Sequence, residues 1–142
     1  MINKFDGENR WLSNFHPAKV ALDGILYPSV ENAYQAAKTL MPAKREQFID
    51  RTSAQAKRRG KLITISPCWE KRKYEVMWKL LWQKFQYTQL QMLLLSTGDE
   101  KIVEGNYWHD NYWGSCSCQR CGDKGKNILG FFLMEIRKQL RG

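Results

Sequence analysis

The 142-residue chain contains no run of about 18 apolar residues, the length a helix needs to cross a bilayer, so no transmembrane helix and no membrane partner are expected. The stretch from Met1 to Arg10 is polar and mixed in charge. It lacks the apolar core of a signal peptide, and on that absence a cytoplasmic protein is expected. Internal repeats and low-complexity linkers are missing too, so residues 1–142 are expected to form one domain around one core. Acidic residues are in deficit: 14 Asp and Glu stand against 23 Lys and Arg, a net charge of +9. That balance favours anionic partners (phosphates, nucleotides or nucleic acid) without choosing among them, and a basic surface can also be a solubility feature alone.

What is present suffices for a core: 43% of residues are hydrophobic and 13% aromatic, with six Trp. The basic excess is clustered at Lys57-Arg58-Arg59-Gly60-Lys61, at Lys71-Arg72-Lys73, and at Arg137-Lys138 with Arg141. Trp11 to Pro17 reads as an extended segment ending in a turn. Lys19 to Leu22 and Ile25 to Tyr27 flank Asp23-Gly24, a strong hairpin signal. Pro28-Ser29 then opens a helix that Pro42 ends or kinks. A short helix is expected over 43–49, and another over 54–59, capped by Thr52-Ser53 with Gly60 as its C′ residue. Leu62 to Pro67 is a connector or short strand. The longest helical pattern runs from Trp69 to about Tyr87, with Val76, Met77, Leu80, Leu81 and Phe85 in one stripe and Trp78 and Trp82 widening it. Helices are further expected over 88–95 and 126–140, with a short strand over 101–104. Residues 105–125, rich in Asn, Gly, Asp, Trp and Cys, read as a loop of the kind that carries function.

The helix after Ser29 places Glu31, Tyr34, Gln35 and Lys38 on one stripe, with Val30, Ala33, Ala37 and Leu40 on an adjoining inward one. A carboxylate and an amine at the edge of an apolar face make a candidate site. The competing readings are a solvated pair, or a salt bridge in which Lys38 leans back toward Glu31.

Leu12-Ser13-Asn14-Phe15 and Tyr27 to Lys38 are followed in order by Lys84-Phe85, Leu93 to Gly98, Asp110-Asn111-Tyr112-Trp113-Gly114, Gly125 to Gly130 and Leu133 to Arg137. This series resembles the NADAR (YbiA-like) family over nearly the whole chain. The resemblance implies a mainly α fold, a single compact helical domain with a small N-terminal β-hairpin. It also implies an N-glycosidase, a hydrolase cleaving a bond between ribose C1′ and a nitrogen. Two substrate classes go with it: phosphoribosylated pyrimidine intermediates of riboflavin synthesis, and ADP-ribose attached to guanine in nucleic acid. The alternative is a non-catalytic module that binds a nucleotide or nucleic acid through its basic surface.

Such a cleavage passes through an oxocarbenium-like centre and needs a negative group, an activated nucleophile and a protonated leaving nitrogen. Glu31 and Asp110 are the candidate carboxylates, with Glu104 in reserve. Lys38 either binds phosphate as a point charge or attacks the anomeric carbon as an amine and forms a Schiff base. Asn14, Phe15, Tyr34, Gln35, Trp113, Gly114 and Asn127 are candidates for substrate binding. Trp113 and Tyr112 suit stacking on a base or anchoring of the loop. Asn14 suits a ribose contact or a turn. Asn127 stands where a loop becomes a helix, suiting a phosphate held by backbone N–H groups or simple capping. No cofactor is required for this reaction. Cys116, Cys118 and Cys121 form C-x-C-x2-C, and a structural zinc would need a fourth ligand from Cys68, His109 or His16. Free thiols are the alternative, with a disulfide least expected in a reducing compartment.

Overall fold

The computed structural model describes residues 1–142, which are mainly helical and divide into two compact units: Asn14–Gln86, and Met1–Ser13 together with Tyr87–Gly142. None of the helices is long and apolar enough to cross a membrane.

In the Asn14–Gln86 unit, β1 (Val20–Leu22) and β2 (Ile25–Tyr27) form an antiparallel hairpin with Leu22 opposite Ile25. Asp23 and Gly24 between them both have positive φ, 50° and 83°, the backbone a two-residue primed turn demands. α1 (Val30–Ala36) starts at Ser29, whose hydroxyl accepts the Asn32 N–H as N-cap. Two short segments follow, α2 (Pro42–Arg45) and a 3-10 turn over Glu46–Phe48. α3 (Ser53–Gly60) begins with a full capping box between Thr52 and Gln55. α4 (Trp69–Lys84) buries Met77, Leu80 and Leu81 while Trp78 and Trp82 stay half-buried. α1 packs against both α3 and α4, and every residue of α1 is buried. Its two alanines, Ala33 and Ala36, with Ala37 at the C-cap, allow that close approach on two sides at once. The Gln83 amide finishes the edge of β1: its Oε1 accepts the Ala21 N–H at 2.7 Å and its Nε2 donates to the Ala21 carbonyl at 2.9 Å.

In the other unit, α5 (Thr88–Ser96) packs on α6 (Ile128–Arg141). Between them lie β3 (Gly105–Asn106) and β4 (Ser115–Cys116), which pair in parallel. The chain start joins this unit through a single bridge, with Ile2 N–H on the Lys101 carbonyl and Val103 N–H on the Ile2 carbonyl, both at 2.8 Å.

Several expectations are corrected. The segment before Ser13 is not extended, because Gly7–Leu12 winds into a 3-10 helix that buries Leu12. Residues 62–67 form no strand, and 101–104 hold only the bridge at Ile102. α1 is shorter than the pattern suggests. It ends at Ala36 because the Lys38 and Thr39 N–H groups bond three residues back, to Gln35 and Ala36, tightening the chain before Pro42. Leu40 therefore leaves the inward face and stands exposed. Gly60 is the last residue inside α3 and not a C′ residue.

Candidate active site

Within the Asn14–Gln86 unit the chemistry collects around α1. Its N-terminus is tied on every side. Asn32 Nδ2 donates to the carbonyls of Phe48 and Arg51, each at 2.8 Å, and the Ser29 hydroxyl donates to Asn32 Oδ1 at 2.6 Å. The Glu31 N–H donates to the Asn14 carbonyl at 3.1 Å. Glu31 itself is only 7% exposed, and Gln35 Nε2 donates to its Oε1 at 2.9 Å. A carboxylate this deep keeps its charge only where hydrogen bonds and nearby cations replace water. Gln35 fits because α3 presents Gly60 to it: a Cβ there would collide with the Gln35 side chain. Asn14 Oδ1 is buried without a hydrogen-bond partner, an acceptor whose satisfaction is left to something outside the chain.

Lys38 lies two residues beyond the end of α1, half-buried, with Nζ 5.9 Å from the centre of the Tyr34 ring. Its backbone is held from the segment before α4: Ser66 N–H donates to the Lys38 carbonyl at 2.8 Å, and Arg72 Nη1 of α4 donates to Ser66 Oγ at 3.2 Å. Tyr34 leans on Trp69 at 5.3 Å between ring centres, and Arg72 covers Trp69 at 5.7 Å. Burial pushes the Lys38 ammonium below its ordinary pKa. Glu31 opposes that shift, whereas Lys57, Lys61 and Lys73 reinforce it. Lys57 also stands over the Phe15 ring at 5.8 Å. The basic runs of α3 and α4 thus converge electrostatically on one amine, a relation that spacing along the sequence does not display. Gln35 bonds to Glu31 within α1, and the Lys38 amine lies against Tyr34 although Lys38 follows the end of the helix; Trp69, Arg72 and three further lysines join the group.

In the other unit, Asp110 closes a turn. Its Oδ1 accepts the N–H groups of Tyr112 at 3.2 Å and Trp113 at 2.9 Å. Asn106 buttresses it, with Oδ1 accepting the Asp110 N–H at 3.2 Å and Nδ2 donating to the Asp110 carbonyl at 2.9 Å. Trp113 is half-buried, edge-on to Tyr112 at 4.7 Å and tilted on Phe132 at 6.4 Å, an anchoring geometry. Gly114 packs where any Cβ would strike the backbone and carboxylate of Glu104, which lets Ser115 N–H reach the Glu104 carbonyl at 2.9 Å. The phosphate reading of the loop-to-helix junction at Asn127 is corrected. The N–H groups of Asn127, Ile128 and Leu129 already donate to the carbonyls of Gly114, Tyr112 and Trp113. The Asn127 amide is engaged as well, accepting from Glu104 N–H and donating to the Ile102 carbonyl, each at 2.9 Å. These donors hold the 110–114 loop onto α6.

The same unit gathers the cysteine cluster. His109, Cys116, Cys118 and Cys121 place one ligand atom each within 4.8 Å of all the others. The fourth member is His109. Cys68 is exposed at the start of α4, and His16 lies with it in the Asn14–Gln86 unit. No cysteine is in a disulfide. One imidazole nitrogen and three thiol sulfurs suit a borderline-soft cation such as zinc.

Comparison with known proteins agrees with this architecture. The family model described as "NADAR domain" matches residues 2–141. An N-glycosidase YbiA of Shigella flexneri is 39% identical over 90% of this chain and 79% of its own length. A riboflavin biosynthesis protein of Vibrio vulnificus is 31% identical over 96% of this chain, which spans 37% of that longer protein. The NMR structure of E. coli YbiA superposes with a TM-score of 0.80 at 34% identity, covering 99% of this chain and 87% of that one. The chain belongs to the NADAR family and is a hydrolase of the N-glycosidase type.

Proposed function

We propose that the chain hydrolyses the bond between ribose C1′ and a nitrogen in a phosphorylated ribosyl substrate, with Lys38 as nucleophile and Glu31 as its proton-handling partner. The observation that carries the proposal is the state of Lys38: an amine whose charge is disfavoured by burial and by three neighbouring lysines, and favoured by the buried carboxylate Glu31. A lysine serves as nucleophile only when neutral, and desolvation beside other cations is the usual way to obtain that form near neutral pH. Lys57, Lys61 and Lys73 remain as the point charges for phosphate, so Lys38 is not needed for that role.

Glu31 takes the proton of the Lys38 ammonium; the freed amine lone pair attacks C1′ as the C1′–N bond breaks, and Glu31 delivers that proton to the leaving nitrogen. The new C1′–amine adduct passes its proton to the ring oxygen, and the sugar ring opens to a protonated Schiff base. Water adds at C1′ and expels the amine, so that one water is consumed per bond cleaved. Glu31 accepts and returns the proton in these exchanges and stabilises the positive charge that develops at C1′. The unpartnered Asn14 Oδ1 offers an acceptor for a ribose hydroxyl. Tyr34 supplies aromatic surface beside the amine, backed by Trp69, and Phe15 lies beside Lys57. The steps use no cofactor, and the His109 and cysteine cluster takes no part in them.

Two substrate classes fit this chemistry. A phosphoribosylated pyrimidine intermediate is favoured by the relative named for riboflavin biosynthesis. ADP-ribose on a guanine of nucleic acid is favoured by the basic runs at 57–61 and 71–73. Assaying both, with released sugar read by mass spectrometry, tests the proposal. Turnover of one class establishes the substrate, and turnover of neither with intact, folded protein overturns the assignment.

A further inference from the structure

The four residues His109, Cys116, Cys118 and Cys121 surround a point with the dimensions of a metal ion. His109 Nδ1 lies 3.3 Å from Cys121 Sγ, 3.5 Å from Cys118 Sγ and 3.7 Å from Cys116 Sγ. One ring nitrogen has one lone pair or one hydrogen, so it can make one such hydrogen bond and not three. Near-equal spacing to three sulfurs is the shape of a coordination polyhedron. With zinc bonds of about 2.3 Å to sulfur and about 2.05 Å to nitrogen, a tetrahedron has nitrogen-to-sulfur edges of about 3.5–3.6 Å. The observed distances bracket that value.

The surroundings agree. Cys116 is fully buried, and its backbone N–H donates to Asn111 Oδ1 at 2.8 Å, which fixes where its sulfur points. The Cys121 N–H donates to Cys118 Sγ at 3.3 Å, the bond that stabilises a thiolate in ligand knuckles. His109 adopts φ of 66°, a left-handed conformation that a non-glycine residue holds only when its surroundings compel it. From these distances we infer that the chain binds one zinc ion in a Cys3His site, as a structural clamp closed on four sides by protein. His109 and Cys116 bracket residues 110–115, so the ion ties off the loop that carries Asp110, Trp113 and Gly114. Closing so short a loop removes many of the conformations it would otherwise sample.

The test is read without substrate and stands apart from the glycosidase reading. Protein purified under reducing conditions and dialysed against zinc is analysed for metal. One equivalent per chain is expected, and below a tenth of an equivalent overturns the inference. Cobalt in its place should give the intense visible bands of a tetrahedral thiolate complex, whereas weak bands typical of octahedral water and carboxylate ligation would overturn the site. Cys118→Ser and Cys121→Ser, both at partly exposed positions, should lose at least nine-tenths of the bound zinc, and unchanged zinc in either variant contradicts the ligand set. Chelator-stripped wild type should show amide exchange at least tenfold faster over residues 106–125 and unchanged exchange in α4. Equal exchange with and without zinc rules out the clamp. A mass two units low, marking a disulfide in the protein as purified, would also overturn it.

Discussion

Gln35 donates a hydrogen bond to Glu31 across one turn of α1, 2.9 Å from Nε2 to Oε1, with both side chains buried. Gly60 of α3 makes that bond possible by leaving room for the Gln35 amide. A methyl group at position 60 must push Gln35 aside and strip Glu31 of a donor. A hydrogen bond to a charged acceptor contributes about 1.5–3 kcal/mol. Gly60→Ala is therefore expected to destabilise the protein by roughly that amount in urea unfolding, against the gain of about 1 kcal/mol that alanine normally brings to a helix. In a Gln35→Ala background the collision disappears, and Gly60→Ala should become neutral or stabilising. Simple additivity of the two changes would contradict this relationship.

Glu31→Gln keeps an oxygen for Gln35 to bond, so folding should be intact, with a melting temperature within a few degrees of wild type. Turnover should fall at least about 100-fold, the usual contribution of a proton-transfer group. Because Glu31 is the group that raises the Lys38 pKa, its loss should also move the rising limb of the residual pH profile to lower pH. Lys57→Ala removes a repelling cation and should move the same limb upward. In wild type that limb rises with pH toward a value below 10.5, since the amine must lose its proton to attack. Wild-type turnover in Glu31→Gln removes it from the mechanism.

Lys84 is fully buried at the end of α4, and desolvation lowers its pKa to about 7. The sign follows from proton counts. Between pH 7 and the unfolded value of 10.5, the unfolded chain holds the proton that the folded chain has released, so stability rises with pH across that window. Below about pH 7 the charged form must be accommodated in the folded protein, and the full penalty applies. Comparing wild type with Lys84→Met, the wild type should gain up to about 1.4 kcal/mol per pH unit relative to the variant inside that window. Parallel stability curves would show that Lys84 does not change its protonation between the two states.

Asp110→Asn retains an Oδ1 that can accept from Tyr112 and Trp113, so the turn should persist and unfolding should shift by less than about 1 kcal/mol. Asp110→Ala loses both acceptances and should cost about 1–2 kcal/mol. Activity separates the roles: a carboxylate that serves the reaction predicts a large loss in Asp110→Asn, whereas a residue that only holds its turn predicts near-normal turnover.

The hairpin at Asp23-Gly24, the N-caps at Ser29 and Thr52 and the long α4 were all legible in the sequence, because each rests on local chemistry: turn backbone, cap hydroxyls and apolar periodicity. The stripe of Glu31, Tyr34, Gln35 and Lys38 was legible for the same reason. The 3-10 helix at Gly7–Leu12 and the parallel pairing of Gly105–Asn106 with Ser115–Cys116 were not, since short elements depend on contacts made by distant residues. The early end of α1 comes with i−3 bonds from Lys38 and Thr39, and the carbonyls of Ala37 and Lys38 just past it are taken up by Arg72 and Ser66, contacts that no local pattern reveals. Equally hidden was the convergence of Lys57, Lys61 and Lys73 on Lys38, because charge runs announce a basic surface and not the group they surround. His109 escaped ranking above Cys68 and His16, since its place beside three sulfurs depends on a left-handed backbone.

The most direct measurement is reductive trapping during turnover. Borohydride added to the enzyme with a phosphoribosylated pyrimidine or an ADP-ribosylated oligonucleotide should leave the opened sugar covalently on Lys38, identified by peptide mass spectrometry and absent from Lys38→Arg. Turnover without an adduct on any lysine, or with the adduct on a lysine other than Lys38, would contradict the mechanism.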